Sequence, residues 1–312
     1  MLQPDVLAPA THAAIPHYAV IFRTHFWDDF AERQFNRLLA RVGHGHAYVL
    51  VDETNGPVAG IRHDRVVRMT ENDVLAMGLA RAGSGNLLWY NGDYPLYYFA
   101  DQHPEYDYYL QVEYDVVLNC DCDDLMRQVA ADGADFVATA NLGDAADWVW
   151  LDTCLESYDA EAVRNKLICI SVFSRAALDH LAGRRLALSA RYHAGVAKAW
   201  PMCEGFVATE MEQSGLRCAD LSRYGSIAEC KWWPPNLESE LGSLAAQPFV
   251  HPILDQDRYI GSIMKYPGGL GGFINPQSVL HRKLRKLSPR LYARHVLLGL
   301  WSKSMKKLGI AA

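Results

Sequence analysis

Residues Tyr108 to Asn119 read YYLQVEYDVVLN, a β-favouring run interrupted by charge only at Glu113 and Asp115. Near-continuous apolar runs of this kind suit strands buried on both faces, as in parallel sheets covered by helices. Side chains alternate along a strand, so Glu113 and Asp115 are expected on one face, with Val112, Tyr114 and Val116 on the other. Two like charges side by side repel, and burying them uncompensated is costly. A divalent cation is one compensation, because hard carboxylate oxygens suit Mg²⁺ or Mn²⁺. The same spacing also describes a solvated strand end with two surface acids.

Upstream, YAVIFRT (Tyr18–Thr24) reads as a buried strand, and WDDFAERQFNRLLARV repeats Phe30, Phe35, Leu38, Leu39 and Val42 at helical spacing. HAYVLVDET (His46–Thr54) is a second strand, closing a strand, helix, strand unit of the kind that builds parallel sheets. RVVRM has strand character and precedes a helix expected over Glu71 to Ala82. Downstream, DDLMRQVAADG predicts a helix, and Asp135 to Ala140 a strand. KLICISVFSRAALDHLAG reads as strand then helix, EGFVATEMEQSG as a helix stopped by Gly215, and LRCADLSRYG as a strand. KWWPPN is a loop, since consecutive prolines fit neither a helix interior nor a central strand.

With 312 residues, 50% of them hydrophobic, the chain can bury a large core. Its net charge of −6 gives no global reason to expect nucleic acid as a partner. The charge is unevenly spread: from Asn275 onward there are nine Lys or Arg and no Asp or Glu, leaving 21 of the 30 basic residues against all 36 acidic ones. Seven scattered cysteines suit reduced thiols in the cytoplasm, and Cys120-Asp-Cys122 lacks a second half with zinc-ligand spacing. The first residues show no export signal, and no apolar run is long enough to span a bilayer.

Taken in order, YAVIFRTH, YVLVDET, the Glu113-x-Asp115 strand and FVHPIL resemble the layout of nucleotide-sugar-dependent glycosyltransferases of the GT-A fold, over Tyr18 to Leu254. The resemblance implies an α/β fold with a mainly parallel central sheet flanked by helices and a Rossmann-like nucleotide-binding half. It implies that Asp115 binds a divalent metal, Mn²⁺ or Mg²⁺, that Glu113 binds metal or ribose, and that His251 is a further metal ligand. Arg23 and Asp52, at the exits of the first two strands, and Asp93, in the aromatic stretch WYNGDYPLYYF, are the expected nucleotide-sugar contacts; capping roles are the alternative for the first two. Glu204, with Pro201 and Gly205 marking a helix start, is the candidate base, and Glu210 the second choice. Trp148 and Trp150, two apart on an expected strand, and Trp232 with Trp233 are candidate planes for an acceptor sugar; YPGGLGGF (266–273) is a candidate closing loop.

The expected organisation is therefore one catalytic domain over 1–274, with 18–140 binding the donor and 141–274 the acceptor, followed by a basic helical tail over 275–312. The expected activity is metal-dependent transfer of a sugar from a nucleotide diphosphate to a glycan, lipid-linked or small-molecule acceptor. A noncatalytic sugar- or nucleotide-binding protein of the same architecture is the alternative. The tail, with its mix of apolar and basic residues, suits either an anionic membrane surface or packing on the acidic body.

Overall fold

The computed structural model describes residues 14–83, 87–139, 147–265, 272 and 275–307. Except for Gly272, the expected closing loop over 266–273 lies outside them. The chain divides into two compact units: Met1–Lys231 with Ala246–His251, and Trp232–Ala245 with Pro252–Ala312.

The first unit is built on a seven-stranded sheet. Its strands are Tyr18–Thr24 (β1), His46–Asp52 (β2), Val66–Met69 (β3), Tyr108–Glu113 (β4), Phe136–Thr139 (β6), Leu167–Ser174 (β7) and Cys218–Asp220 (β8), with the short Val117–Leu118 (β5) following β4 outside this sheet. The order is β3-β2-β1-β4-β7-β6-β8. All pairings are parallel except the two made by β7, which runs against both β4 and β6. The fold is thus α/β with a mostly parallel central sheet, as its strand, helix, strand units dictate.

β1 and β2 are buried along almost their whole length because helices cover both faces. On one face Val20, Phe22, Val49, Val51, Leu110 and Val112 meet Phe35 and Leu38 of the helix Asp29–Leu39 (α1) and Met126 of Cys122–Ala131 (α5). Ile21, Leu50 and Tyr109 point to the other face, where they share a core with Leu96 and Phe99 of Tyr94–Gln102 (α4), Leu181 of Arg175–His193 (α6) and Phe206 of Cys203–Gln213 (α7). Asp28 starts α1 by accepting hydrogen bonds from the amides of Phe30 and Ala31. Between β3 and α4 lie Glu71–Ala76 (α2) and Leu87–Tyr90 (α3). α2 is shorter than the helix expected to Ala82, because the chain turns at Gly78 with φ 84°. A second, three-stranded sheet joins Glu229–Cys230 (β9) and β5 to Phe249–His251 (β11).

The second unit pairs Asn236–Leu237 (β10) with Ile253–Leu254 (β12), so FVHPIL is split at Pro252 between two sheets in different units. Gln256–Lys265 (α8) follows, then a short helix ending in Arg285–Leu287 (α9), then Pro289–Lys307 (α10). Leu237, Leu254, Tyr259, Ile263 and Leu284 form the core, with Leu287, Leu291, Tyr292 and Val296 packed against it. The compact units therefore do not divide at residue 274. The basic tail shares its core with α8: Leu284, Leu287, Leu291 and Val296 belong to the same cluster as Tyr259 and Ile263.

Candidate metal centre

The sheet grows in two directions from β1: β2 and β3 are added on one side and β4 on the other. Ligands of open α/β sheets bind beyond the carboxyl ends of the strands at such a switch point. At this one, Arg23 of β1 and Glu113 of β4 are registered partners. Arg23 is buried; Nη2 donates to Glu113 and Nη1 to the carbonyl of Gly92, while Nε has no hydrogen-bond partner among the described residues. Arg23, the expected nucleotide contact, thus holds Glu113 through one arm of its fork and the Gly92 carbonyl through the other.

β4 ends at Glu113, and Asp115 lies in the turn that follows, closed by Val116 N–H donating to the Glu113 carbonyl at 3.0 Å. A turn, not the alternation of a pleated strand, brings the two acids together. From the far end of the sequence β11 delivers His251, whose Nδ1 lies 2.7 Å from the Lys231 carbonyl oxygen. A carbonyl only accepts, so Nδ1 bears the donated hydrogen, and Nε2 is the ring nitrogen left to act as a ligand. Nε2 sits 3.7 Å from Asp115 Oδ1, a buried oxygen with no hydrogen-bond partner among the described residues. Ligand atoms of Glu113, Asp115 and His251 all lie within 4.8 Å of one another.

This cluster fits a small divalent cation on three grounds: two carboxylates, an imidazole oriented by a backbone carbonyl, and an orphaned buried oxygen. Burial pushes the Asp115 carboxyl up to about 6; His251 opposes the rise and Glu113 adds to it. Raised above its unfolded value, this group costs stability as pH climbs through the interval from its ordinary value of 3.8 to about 6. A cation ligated by the carboxylate relieves that cost. Thermal stabilisation by Mn²⁺ is therefore expected to be larger at pH 7.5 than at pH 5, read by differential scanning fluorimetry; equal shifts at both pH values would separate Asp115 from the cation.

Glu204 stands in the first turn of α7, half-buried, where burial pushes its carboxyl up to about 8, the Glu113 charge adding and Arg23 opposing. It thus lies in the field of the Arg23–Glu113 pair. Its neighbour Gly205 allows a close approach: a Cβ there would lie 2.7 Å from the Trp148 ring and from Cys154 Sγ. Trp148 and Trp150 are not on a strand; they lie in a turn leading into the 3-10 helix Leu151–Thr153. Trp150 meets Tyr90 edge to face, with centroids 5.8 Å apart. Trp232 and Trp233 belong to the second unit.

The two other expected ligand contacts, Asp93 and Asp52, are each engaged within the protein. Asp93 is fully buried: Arg185 Nε and Nη2 donate to its two oxygens at 2.6 and 3.2 Å, and Tyr97 Oη donates at 2.9 Å. Asp52, also buried, accepts the amides of Thr54 at 2.9 Å and Leu87 at 2.6 Å, a capping arrangement that occupies both oxygens. Glu210, second choice as base, is buried and receives Tyr158 Oη and Arg184 Nε, each at 2.8 Å. Among the described residues Cys120 and Cys122 join no metal-ligating cluster.

What the sequence reading missed is the positioning layer: the carbonyls of Gly92 and Lys231, and Arg185. Only Arg185 left a signal, falling on the buried stripe of α6 with Leu178, Leu181 and Leu188, where a cation demands a buried anion. Compared with known proteins, the chain matches no family model and no curated protein.

Proposed function

We propose that this chain is a metal-dependent glycosyltransferase that moves a sugar from a nucleotide diphosphate donor to a hydroxyl of a glycan, lipid-linked or small-molecule acceptor. The observation that carries this reading is the grouping of Glu113, Asp115 and His251 where β4 ends at the β1/β4 switch point of a sheet whose first four strands have the 3-2-1-4 order of nucleotide-binding sheets. The GT-A resemblance of the sequence points the same way. Glu113, Asp115 and His251 would hold the cation, and the mix of carboxylate and imidazole suits Mn²⁺ better than Mg²⁺. Bound there, the cation would neutralise charge on the departing diphosphate.

The protein's own groups supply the rest. Arg23 holds Glu113 through Nη2 and is itself anchored on the Gly92 carbonyl through Nη1. Glu204, with its proton affinity raised towards the neutral range, is matched to taking a hydroxyl proton. In an inverting transfer the acceptor oxygen bonds to the anomeric carbon, the bond from that carbon to the diphosphate oxygen breaks with its electron pair leaving on the diphosphate, and the hydroxyl proton passes to Glu204.

The direct experiment is release of nucleoside diphosphate from a panel of nucleotide sugars with Mn²⁺. Slow donor hydrolysis in the absence of acceptor supports the reading; no release from any donor, with or without acceptor extracts, overturns it. Glu204→Gln is expected to lower transfer by about a hundredfold while leaving donor affinity within about twofold. Parallel losses in donor binding and turnover would assign Glu204 to the donor site instead.

A further inference from the structure

α10 has two faces that its sequence spacing keeps apart. Leu291, Tyr292, His295 and Val296 are half-buried and fall on the side turned to the core of the second unit. Arg290, Arg294, Leu297, Leu298 and Trp301 follow the i, i+3, i+4 spacing of the opposite side and are all exposed. Leu297 is 66% exposed and Trp301 59%. Three large apolar side chains on one exposed helical face, with arginines on the preceding turns, are not explained by packing within the unit.

We propose that the outer face of α10 docks on an anionic lipid surface. The charge of the segment chooses this occupant. From Asn275 onward there are nine Lys or Arg and no Asp or Glu. One of them, Lys283, is engaged by Glu240, while Arg282, Arg285, Lys286, Arg290 and Arg294 are exposed. A second copy meeting this face would set like charges against each other. A nucleic acid would match the arginines but leave Leu297, Leu298 and Trp301 in water. A bilayer interface satisfies both, since acyl chains take leucine, the interfacial zone takes tryptophan, and anionic headgroups meet arginine. The helix lies on such a surface; among the described residues no helix is long and apolar enough to cross one. This docking does not depend on the proposed chemistry of the first unit.

The test is co-sedimentation of the full-length protein with vesicles of phosphatidylglycerol and phosphatidylcholine, against vesicles of phosphatidylcholine alone. Binding is expected only to the anionic vesicles, and is expected to weaken with salt. Leu298→Glu with Trp301→Glu should lower it by about tenfold or more, and Arg290→Gln with Arg294→Gln should lower it at unchanged thermal stability. The second pair keeps the test intact if the first disturbs the fold. Failure of the intact protein to sediment with anionic vesicles at low salt overturns the proposal. So does binding that neither pair of substitutions weakens, or a dimer that Leu298→Glu disperses in protein that ignores vesicles.

Discussion

Asp115→Asn is expected to remove divalent-dependent donor turnover, by about a thousandfold or more, while the protein without metal melts no lower than the parent. The two halves of this result have one cause. Asp115 is a half-buried carboxyl beside Glu113, and burial already pushes its proton affinity up. An uncharged amide relieves that burden in the empty site and so costs the fold nothing. With a cation the balance reverses, because the variant has lost one of the anionic ligands that would hold it, and several kcal/mol of charge stabilisation on a leaving diphosphate corresponds to about a thousandfold in rate. The melting shift produced by Mn²⁺ should shrink along with activity. A variant with parental turnover and a parental Mn²⁺ shift would remove Asp115 from the metal site.

Arg185→Met should produce the largest loss of stability, about 3–5 kcal/mol, because it strands the Asp93 carboxylate in a fully enclosed position. Both partners have no exposed side-chain surface. The guanidinium is also stacked, its central carbon 3.7 Å from the Phe206 ring centroid and 5.2 Å from that of Trp200, and Nη1 donates to the Pro201 carbonyl at 3.0 Å. Methionine fills much of the volume but answers none of these polar demands. Urea unfolding would read the loss as a lower midpoint at an unchanged slope. Combining it with Asp93→Leu should recover much of the loss, since buried ion pairs often exchange for apolar residues at little cost. If the double variant is as unstable as the sum of the two single ones, the pair is not coupled as drawn.

The contrast between these two aspartates shows what the sequence made legible. β1 and β2 begin and end close to where their apolar runs do, because strands buried on both faces confine polar residues such as Arg23, Thr24 and Asp52 to their ends. The direction of β7 was not legible, since a continuous apolar run reads alike in parallel and antiparallel pairing. Glu113 and Asp115 were picked out as two acids beside a buried run, and His251 by its place in FVHPIL. The turn that joins the acids leaves no such mark, because the β-favouring run continues through Asp115 to Leu118 while the strand ends at Glu113. Asp52 and Asp93 carried the same local signature, an acid at the end of an apolar element. What separates them from Asp115 is long-range closure: Leu87 N–H and the Arg185 guanidinium reach them from 35 and 92 residues away. Local patterns register a charge at a boundary but not the partner that later encloses it.

The pairing of β4 also has a consequence for the order in which the molecule is made. β1 precedes β4 in the chain, whereas β7, which covers its other edge from Tyr108 to Val112, is synthesised later. A nascent chain that has just completed β4 therefore carries an open apolar strand edge, a template for pairing with the wrong neighbour until Ile170–Ser174 emerges. His251 arrives later still, on β11, which must dock antiparallel to β5 before Glu113, Asp115 and His251 stand together. Divalent-dependent protection of the first unit from proteolysis would thus count only chains whose final strand is in place, making the cation a reporter of finished folding.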